Sequence, residues 1–127
     1  MRQSPFALSA LILAGCAVQP RPYAPVRGVA YQALGNRQFW VLTIGDDRIV
    51  MHRGESEDRI WTRTLPRVEE DRRIWQSGEG IDGINIVARP GPCAADNGDL
   101  YADFVTVHVG QANLEGCGGR RIGPGRR

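Results

Sequence analysis

Apolar and polar residues alternate along Tyr101–Val109, which is the period-two pattern of a β-strand with one buried face. The inward face carries Val105, Val107 and Val109, and the outward face carries Phe104, Thr106 and His108. Gly110-Gln111 then predicts a tight turn, and the returning strand should place Leu114 inward beside Val107. The segment is therefore predicted to form an antiparallel hairpin over a hydrophobic core.

Further short apolar runs follow one another along the chain, and turn residues separate them. The predicted strands are Ala30–Ala33, Phe39–Ile44, Arg48–Arg53, Arg59–Leu65, Arg72–Ser77, Ile84–Ala88, Tyr101–Val109 and Ala112–Cys117. No eleven-residue window has a convincing helical period. The pattern predicts an all-β domain, a small antiparallel β-barrel of about eight strands, because closure removes exposed edges. A β-sandwich is the alternative.

The first apolar run, Phe6–Leu13, follows a positive charge at Arg2 and is too short to span a membrane. It is typical of the core of a secretion signal. The next residues, Leu13-Ala14-Gly15-Cys16, resemble the lipobox of bacterial lipoproteins, in which cleavage falls between Gly15 and Cys16. The resemblance implies a lipidated Cys16 with more than one acyl chain, as stable anchoring requires. An ordinary secretory signal, cut after Ala14 or Ala17, is the alternative.

Four regions follow from this pattern. Residues 1–15 are predicted to be a lipoprotein signal peptide, and residues 16–28, with three prolines, an extended tether. Residues 29–118 are predicted to form the all-β domain, and residues 119–127 a disordered basic tail. The protein is expected in the cell envelope, facing the periplasm, with the membrane as its partner through Cys16. The residue after Cys16 is Ala17 rather than aspartate, which by that resemblance favours the outer membrane.

The charge is unevenly distributed. All sixteen basic residues are arginine, and between Gly28 and Gly118 nine arginines stand against fourteen acidic residues, a net charge of −5. A nucleic-acid partner is therefore not indicated. The tail that begins at Gly119 is basic, and contact with anionic lipid is the alternative to simple disorder there.

Two cysteines, Cys93 and Cys117, remain once Cys16 is assigned to lipid, and in an oxidising compartment they should pair. The chain-entropy estimate for a loop of about 25 residues is about 3.5 kcal/mol. A structural disulfide is predicted rather than a redox centre, since no Cys-x-x-Cys is present.

Several apparent motifs have an ordinary structural interpretation. The glycines of Gly78–Gly83 fit G-x-G-x-x-G, but a strand rather than a helix is predicted to follow them, so a turn is expected. The acidic segment Asp96–Asp103 could hold calcium, yet its spacing is not that of an EF-hand and Asn-Gly favours a turn. His52 and His108 lie in different predicted strands without a third ligand, so no zinc site is predicted.

The sequence contains no recognised catalytic motif, so the chain is predicted not to be an enzyme, and no cofactor is implied. Trp40, Trp61 and Trp75 are candidate ligand-lining residues if the barrel is hollow. Large aromatic residues in so small a domain are more often part of the core.

Two sets of residues carry a family resemblance. The opening set is Gly35-Asn36-x-x-Phe39-Trp40, and the closing set is Cys93-x-x-Asp96, Tyr101 and Leu114-x-Gly116-Cys117. The chain thereby resembles a group of uncharacterised small proteobacterial envelope lipoproteins. That group is similar in kind to META-type domains and to the membrane-bound inhibitor of c-type lysozyme. The inhibitor's loop motifs are absent, and one of them needs a lysine, which this chain lacks.

The expected function is a non-enzymatic binding module, or a structural or stress module, on a lipid anchor, with an envelope protein as a possible partner. The first alternative is an inhibitor of a lysozyme-type cell-wall hydrolase, acting through the acidic domain. The second is a carrier of a small ligand or metal.

Overall fold

A computed structural model describes residues 26–124 of the chain. The elements in chain order are β1 (Tyr31–Gly35), β2 (Val41–Ile44), β3 (Arg48–His52), β4 (Arg59–Thr62), β5 (Arg67–Glu69), β6 (Arg72–Ser77), a 3₁₀ turn (Gly80–Asp82), β7 (Ile84–Ala94), β8 (Asp99–Val109) and β9 (Ala112–Pro124). The domain is all-β, as predicted.

The nine strands form one antiparallel sheet in the order β4-β3-β2-β1-β9-β8-β7-β6-β5. The first strand therefore pairs with the last, and β4 and β5 form the two edges. The sheet is curled, consistent with the predicted small β-barrel, and it is a single sheet rather than the two of a sandwich.

Side chains tie the region of one edge, β4, to the far half of the sheet. Ser77 Oγ donates to the carbonyl oxygen of Thr62 at 2.7 Å, and Thr64 Oγ1 donates to that of Gln76 at 2.8 Å. Trp61 Nε1 donates to the carbonyl oxygen of Asp82 at 2.8 Å. These bonds help to hold the curl where no strand ladder runs between β4 and β5.

The predicted face alternation is confirmed where the pattern was clearest. Val107 pairs with Leu114 across β8 and β9, and both side chains are buried. Ile44 pairs with Ile49 in the predicted hairpin of β2 and β3. The inward residues form a hydrophobic cluster, the main core, which consists of Tyr31, Ala33, Trp40, Leu42, Ile44, Ile49, Met51, Trp61, Trp75, Ile84, Ile86, Ala88, Val105, Val107, Val109 and Leu114.

The sequence prediction differs from the structure at several places. Strand β5 was missed, and β2 begins at Val41 rather than at Phe39. The predicted tether runs to Gly28, yet Arg27 already contacts the domain, where its carbonyl oxygen accepts the Asp46 amide at 2.9 Å. The tail expected to be disordered from Gly119 continues strand β9 to Pro124.

Strands β7 and β8 are also longer than predicted, and their extra residues form an arm. The arm, residues 91–102, begins at a break in the β7–β8 register between Pro90 and Cys93. Gly91, with φ 151°, passes so close to Phe104 that an added Cβ would lie 2.5 Å from the ring. The chain can bend over the ring here because this position has no side chain.

The arm covers the outer face of the sheet. Leu34 pairs with Cys117 on β9, and Cys117 pairs with Phe104 on β8, so these side chains point away from the main core. Cys93, Ala95 and Cys117 are buried there, with Leu34 and Tyr101 packed against them. This second cluster is the satellite core, and it exists because the arm folds over it.

Candidate functional site

Two residues of the family resemblance, Asn36 and Asp96, meet at the tip of the arm. Asn36 Oδ1 accepts the amide of Asp96 at 3.2 Å, and Asn36 Nδ2 lies 3.5 Å from the carbonyl oxygen of Ala94 and 3.8 Å from Cys117 Sγ. One side chain thus joins the β1–β2 turn to the arm and to β9. Asn36 of the opening motif therefore contacts Asp96 and Cys117 of the closing motif, although the two motifs are far apart in sequence.

The glycines of the same motifs allow close approach. A Cβ on Gly116 would lie 1.9 Å from the carbonyl oxygen of Leu34, and a Cβ on Gly35 would lie 2.3 Å from Trp40 Nε1. Neither position has room for a side chain without movement of its neighbours. The structure therefore gives the motif glycines an architectural role.

The β1–β2 turn holds Arg37 in an unusual conformation. Its φ of 71° lies in the left-handed region, which costs a non-glycine residue about 1–2 kcal/mol. The Arg37 amide donates to Asp96 Oδ2, which keeps the turn in place. Strained residues that the surrounding structure holds in this way are often found at binding sites.

The predicted disulfide between Cys93 and Cys117 is present, with the two Cα atoms 5.5 Å apart. It links the base of the arm to β9 through the middle of the satellite core. The covalent bond and the Asn36 contacts hold the arm against the barrel at two points.

A groove of about 590 Å³ lies between the arm, the β1–β2 turn and the outer face of β8 and β9. We call it the arm groove. It is lined by Asn36, Arg37, Gln38, Arg89, Cys93, Ala94, Phe104, Val105, Thr106, Asn113, Glu115 and Gly116. Its size is within the range of small-ligand sites.

The arm groove has two cations and one anion. Arg89 stacks on Phe104, with its guanidinium carbon 5.7 Å from the ring centre. Among residues 26–124, the guanidinium groups of Arg37 and Arg89 and the carboxylate of Glu115 form no salt bridge. The groove is therefore locally positive on a domain that carries an excess of acidic residues.

A second cavity, of about 410 Å³, borders a buried polar group. Asp103 is 6% exposed and accepts hydrogen bonds on Oδ2 from Tyr31 Oη at 2.7 Å and Arg73 Nη2 at 2.8 Å. Burial and the bond to Asp103 raise the pKa of Tyr31 above its usual value. Both donors to Asp103 Oδ2 are protein groups, so this oxygen is already partnered within the protein.

The three tryptophans proposed to line a ligand cavity belong to the main core. Trp40, Trp61 and Trp75 are 1%, 7% and 3% exposed. The lining of the arm groove and that of the second cavity contain none of them. Their side chains fill the interior, in agreement with the core interpretation.

The acidic segment that could have held calcium is committed to protein contacts. Asn97 Oδ1 accepts the Asp99 amide at 3.0 Å, an Asx turn as expected, and Asp99 pairs with Arg121 at 3.2 Å. Asp103 lies in the buried cluster described above. No group of three or more His, Cys, Asp and Glu side chains placed to hold a metal occurs in residues 26–124.

The histidines and the glycine-rich segment have local partners. His52 ends strand β3, and its Nδ1 lies 2.5 Å from Asp58 Oδ1 in the loop before β4. His108 lies on β8, and its Nδ1 is 2.6 Å from Asn113 Oδ1 on the paired strand β9. The segment Gly78–Gly83 contains the 3₁₀ turn and leads into β7. It is a turn before a strand, as predicted.

The predicted lipidation residue, Cys16, and the predicted cleavage point after Gly15 lie outside the described residues. Within the described part of the chain, no helix has the length and apolar character needed to cross a membrane.

Sequence reasoning missed Arg37 and Arg89 as site residues, because neither lies in a recognisable motif.

The burial of Asp103 could have been predicted from the sequence. Asp103 shares the face of Val105, Val107 and Val109 in the alternation, so a carboxylate on the inward face could have been identified as buried and partnered.

Comparison with known proteins found no match. The chain matches no protein family model, no curated protein and no solved structure.

Proposed function

We propose that this protein is a membrane-anchored periplasmic lipoprotein whose β-domain is a non-enzymatic binding module, with the arm groove as its binding surface. The observation that carries the proposal is the arm itself. A disulfide and the Asn36 contacts hold residues 91–102 over the outer face. The resulting groove contains two arginines that form no salt bridge within residues 26–124.

Two features support the extracytoplasmic part of the proposal. Cys93 and Cys117 form a structural disulfide, which persists in an oxidising compartment. The N-terminal segment has the order of a lipoprotein signal, an apolar run that ends at Leu13-Ala14-Gly15-Cys16.

The groove supports a binding role because the interior of the barrel is filled. The main core contains sixteen buried side chains, including all three tryptophans, so a ligand has the outer face available rather than the interior. The arm groove is concave and polar. The backbone of Arg37 lies in a strained turn, and Arg89 stacks on an aromatic ring.

The anchor is tested by labelled palmitate. The wild-type protein should incorporate the label and fractionate with membranes, and Cys16→Ser should do neither. Cys93→Ser, in which Cys16 is retained, is the control and should keep the label. Undiminished label on Cys16→Ser would refute the anchor.

The binding surface is tested by photo-crosslinking in living cells. A photoreactive amino acid at Thr106, in the groove, should give discrete adducts, whereas the same residue at Ile60, exposed on β4, should not. Equal crosslinking from both positions would contradict a binding role for the groove.

A second candidate function, inhibition of a basic cell-wall hydrolase, is favoured by the loop between β3 and β4. Glu55 and Glu57 are exposed there, and neither forms a salt bridge within residues 26–124. Such an acidic loop complements a basic enzyme. A lysozyme assay at low salt decides, since inhibition that Glu55→Gln/Glu57→Gln abolishes would favour this candidate over the first.

A further inference from the structure

We infer that the arm groove binds a short peptide through its free C-terminal carboxylate, with Arg37 and Arg89 as the carboxylate-binding residues and Glu115 facing the peptide's amino end. This deepens the proposed function, because it names the ligand class for the groove already assigned as the binding surface.

The arm groove has an excess of positive charge. Arg37 and Arg89 both line the groove, and neither guanidinium is neutralised by a carboxylate within the described residues. Within residues 26–124, five other arginines form salt bridges, as in Arg73–Asp103 and Arg121–Asp99. Guanidinium groups favour planar carboxylates, which they bind with two parallel hydrogen bonds.

Contacts within the fold restrict both arginines before a ligand binds. Arg89 stacks on the ring of Phe104, and Gly91 packs against the same ring, so part of the cost of ordering the guanidinium is met before a ligand binds. The backbone of Arg37 is held by Asp96, which itself is bound by Asn36. The arm therefore positions the backbone of Arg37 through Asp96, whereas Arg89 is positioned by Phe104 on β8.

The other residues that line the groove favour a peptide over a phosphate group. Glu115 lines the same groove and would repel a doubly charged phosphate, whereas an ammonium or amide group complements it. Gln38 and Thr106 add neutral donors and acceptors, which suit the amides of a peptide backbone.

The experiment uses full-length protein in detergent and three probes that differ by one group each. The probes are tri-alanine, tri-alanine amide, which lacks the carboxylate, and N-acetyl-tri-alanine, which lacks the ammonium. Binding is followed by NMR of backbone amides and of arginine Nε–H signals. Inorganic phosphate is the fourth probe and tests a simple anion site.

Tri-alanine should bind and shift the Arg37 and Arg89 Nε–H signals, and the amide should bind at least about tenfold more weakly because the charged hydrogen bonds are lost. Arg37→Gln and Arg89→Gln should each weaken tri-alanine binding and leave the fold intact. Arg53→Gln, a change at an exposed arginine outside the groove, should have no effect. Glu115→Gln should reduce the preference for tri-alanine over its acetylated form.

The inference is overturned if tri-alanine causes no shift, if the amide binds as well as the acid, or if phosphate binds more tightly than tri-alanine. Photo-crosslinking from Thr106 separates this failure from failure of the proposed function. Crosslinks at Thr106 without carboxylate binding would retain the groove as a binding surface and reject only the ligand class.

Discussion

The main core and the satellite core lie on opposite faces of one sheet and are held together by different means. The main core buries sixteen side chains, so hydrophobic burial is enough to keep it packed. The satellite core buries three, two of which are the bonded cysteines. A cluster of that size depends on covalent and polar links rather than on its own apolar area.

This difference explains where a binding surface can form. Buried side chains fill the interior of the barrel. The arm instead packs on the outer face of the sheet and encloses a groove there. Binding elements are commonly drawn from the less stable parts of a structure. The disulfide gives such an element a fixed position without a large core of its own.

The largest effect is expected in the main core. Leu42 is fully buried, so Leu42→Ala should lower the free energy of unfolding by about 4 kcal/mol through lost burial and a residual cavity. Urea unfolding measures the change. Leu65→Ala removes the same atoms from a side chain that is 82% exposed, and its effect should stay within about 0.5 kcal/mol. Similar effects at both positions would contradict the burial pattern.

The next largest effect is expected from the disulfide. Cys93→Ser/Cys117→Ser should lower stability by up to about 3.5 kcal/mol, since the unfolded chain loses a constraint on its entropy. Unlike Leu42→Ala, the double variant should retain the tertiary near-UV signal of the buried tryptophans and lose tri-alanine binding. Retained tri-alanine binding would show that the groove does not depend on the Cys93–Cys117 disulfide.

A smaller effect concerns the buried cluster at the second cavity. Because the pKa of Tyr31 is raised in the folded state, unfolded Tyr31 ionises first, so stability is present below about pH 10 and falls as the pH rises further. Tyr31→Phe should cost about 2 kcal/mol at neutral pH through the lost bond to Asp103. It should also flatten the alkaline decline, whereas Tyr101→Phe should not. Denaturant unfolding between pH 8 and 11.5, a range of about one to two units on either side of the normal tyrosine pKa, measures both.

The link between barrel and arm should respond to Asn36→Asp. The variant keeps an oxygen for the Asp96 amide, loses the Nδ2 contact with Ala94 and places a second carboxylate near Asp96. A loss of about 1 kcal/mol is expected, with faster amide exchange in the arm. Asn85→Asp on β7 is the control, because Asn85 makes no side-chain hydrogen bond within residues 26–124. Equal effects of the two variants would argue against the Asn36 contacts.

The smallest change in stability should be a gain. Arg37→Gly relieves the left-handed conformation at φ 71° and should stabilise the protein by about 0.5 kcal/mol, while tri-alanine binding is lost. Arg53→Gly, at an exposed position without such a φ, should destabilise slightly and leave binding unchanged. Destabilisation by Arg37→Gly would show that the turn is not strained at this residue.

The two regions also differ in how far the sequence predicts them. The alternation of Val105, Val107 and Val109 predicts the main-core face and the Val107–Leu114 pair, because a period-two pattern reports local geometry. The arm follows from long-range pairing. Pro90, Gly91 and Pro92 are residues that usually end a strand. Strand β7 nevertheless continues to Ala94 because it pairs with β8.

Strand β5 and the arm groove were missed for the same physical reason. Arg67-Val68-Glu69 is exposed throughout and has no apolar period, so it becomes a strand only by pairing with β6. Arg37 and Arg89 are 52 positions apart in sequence and line one groove only after the sheet has curled and the arm has folded over. The disulfide was predictable because two cysteines in an oxidising compartment pair wherever the fold brings them together.

Hydrogen exchange of wild-type protein and of Cys93→Ser/Cys117→Ser tests the central claim, that the arm is a separately held layer on a self-sufficient barrel. In the double variant, amides of β2 and β3 should remain protected, and amides of residues 91–102 should exchange much faster than in the wild type. Uniform loss of protection across the sheet, or an arm as protected as in the wild type, would contradict the claim.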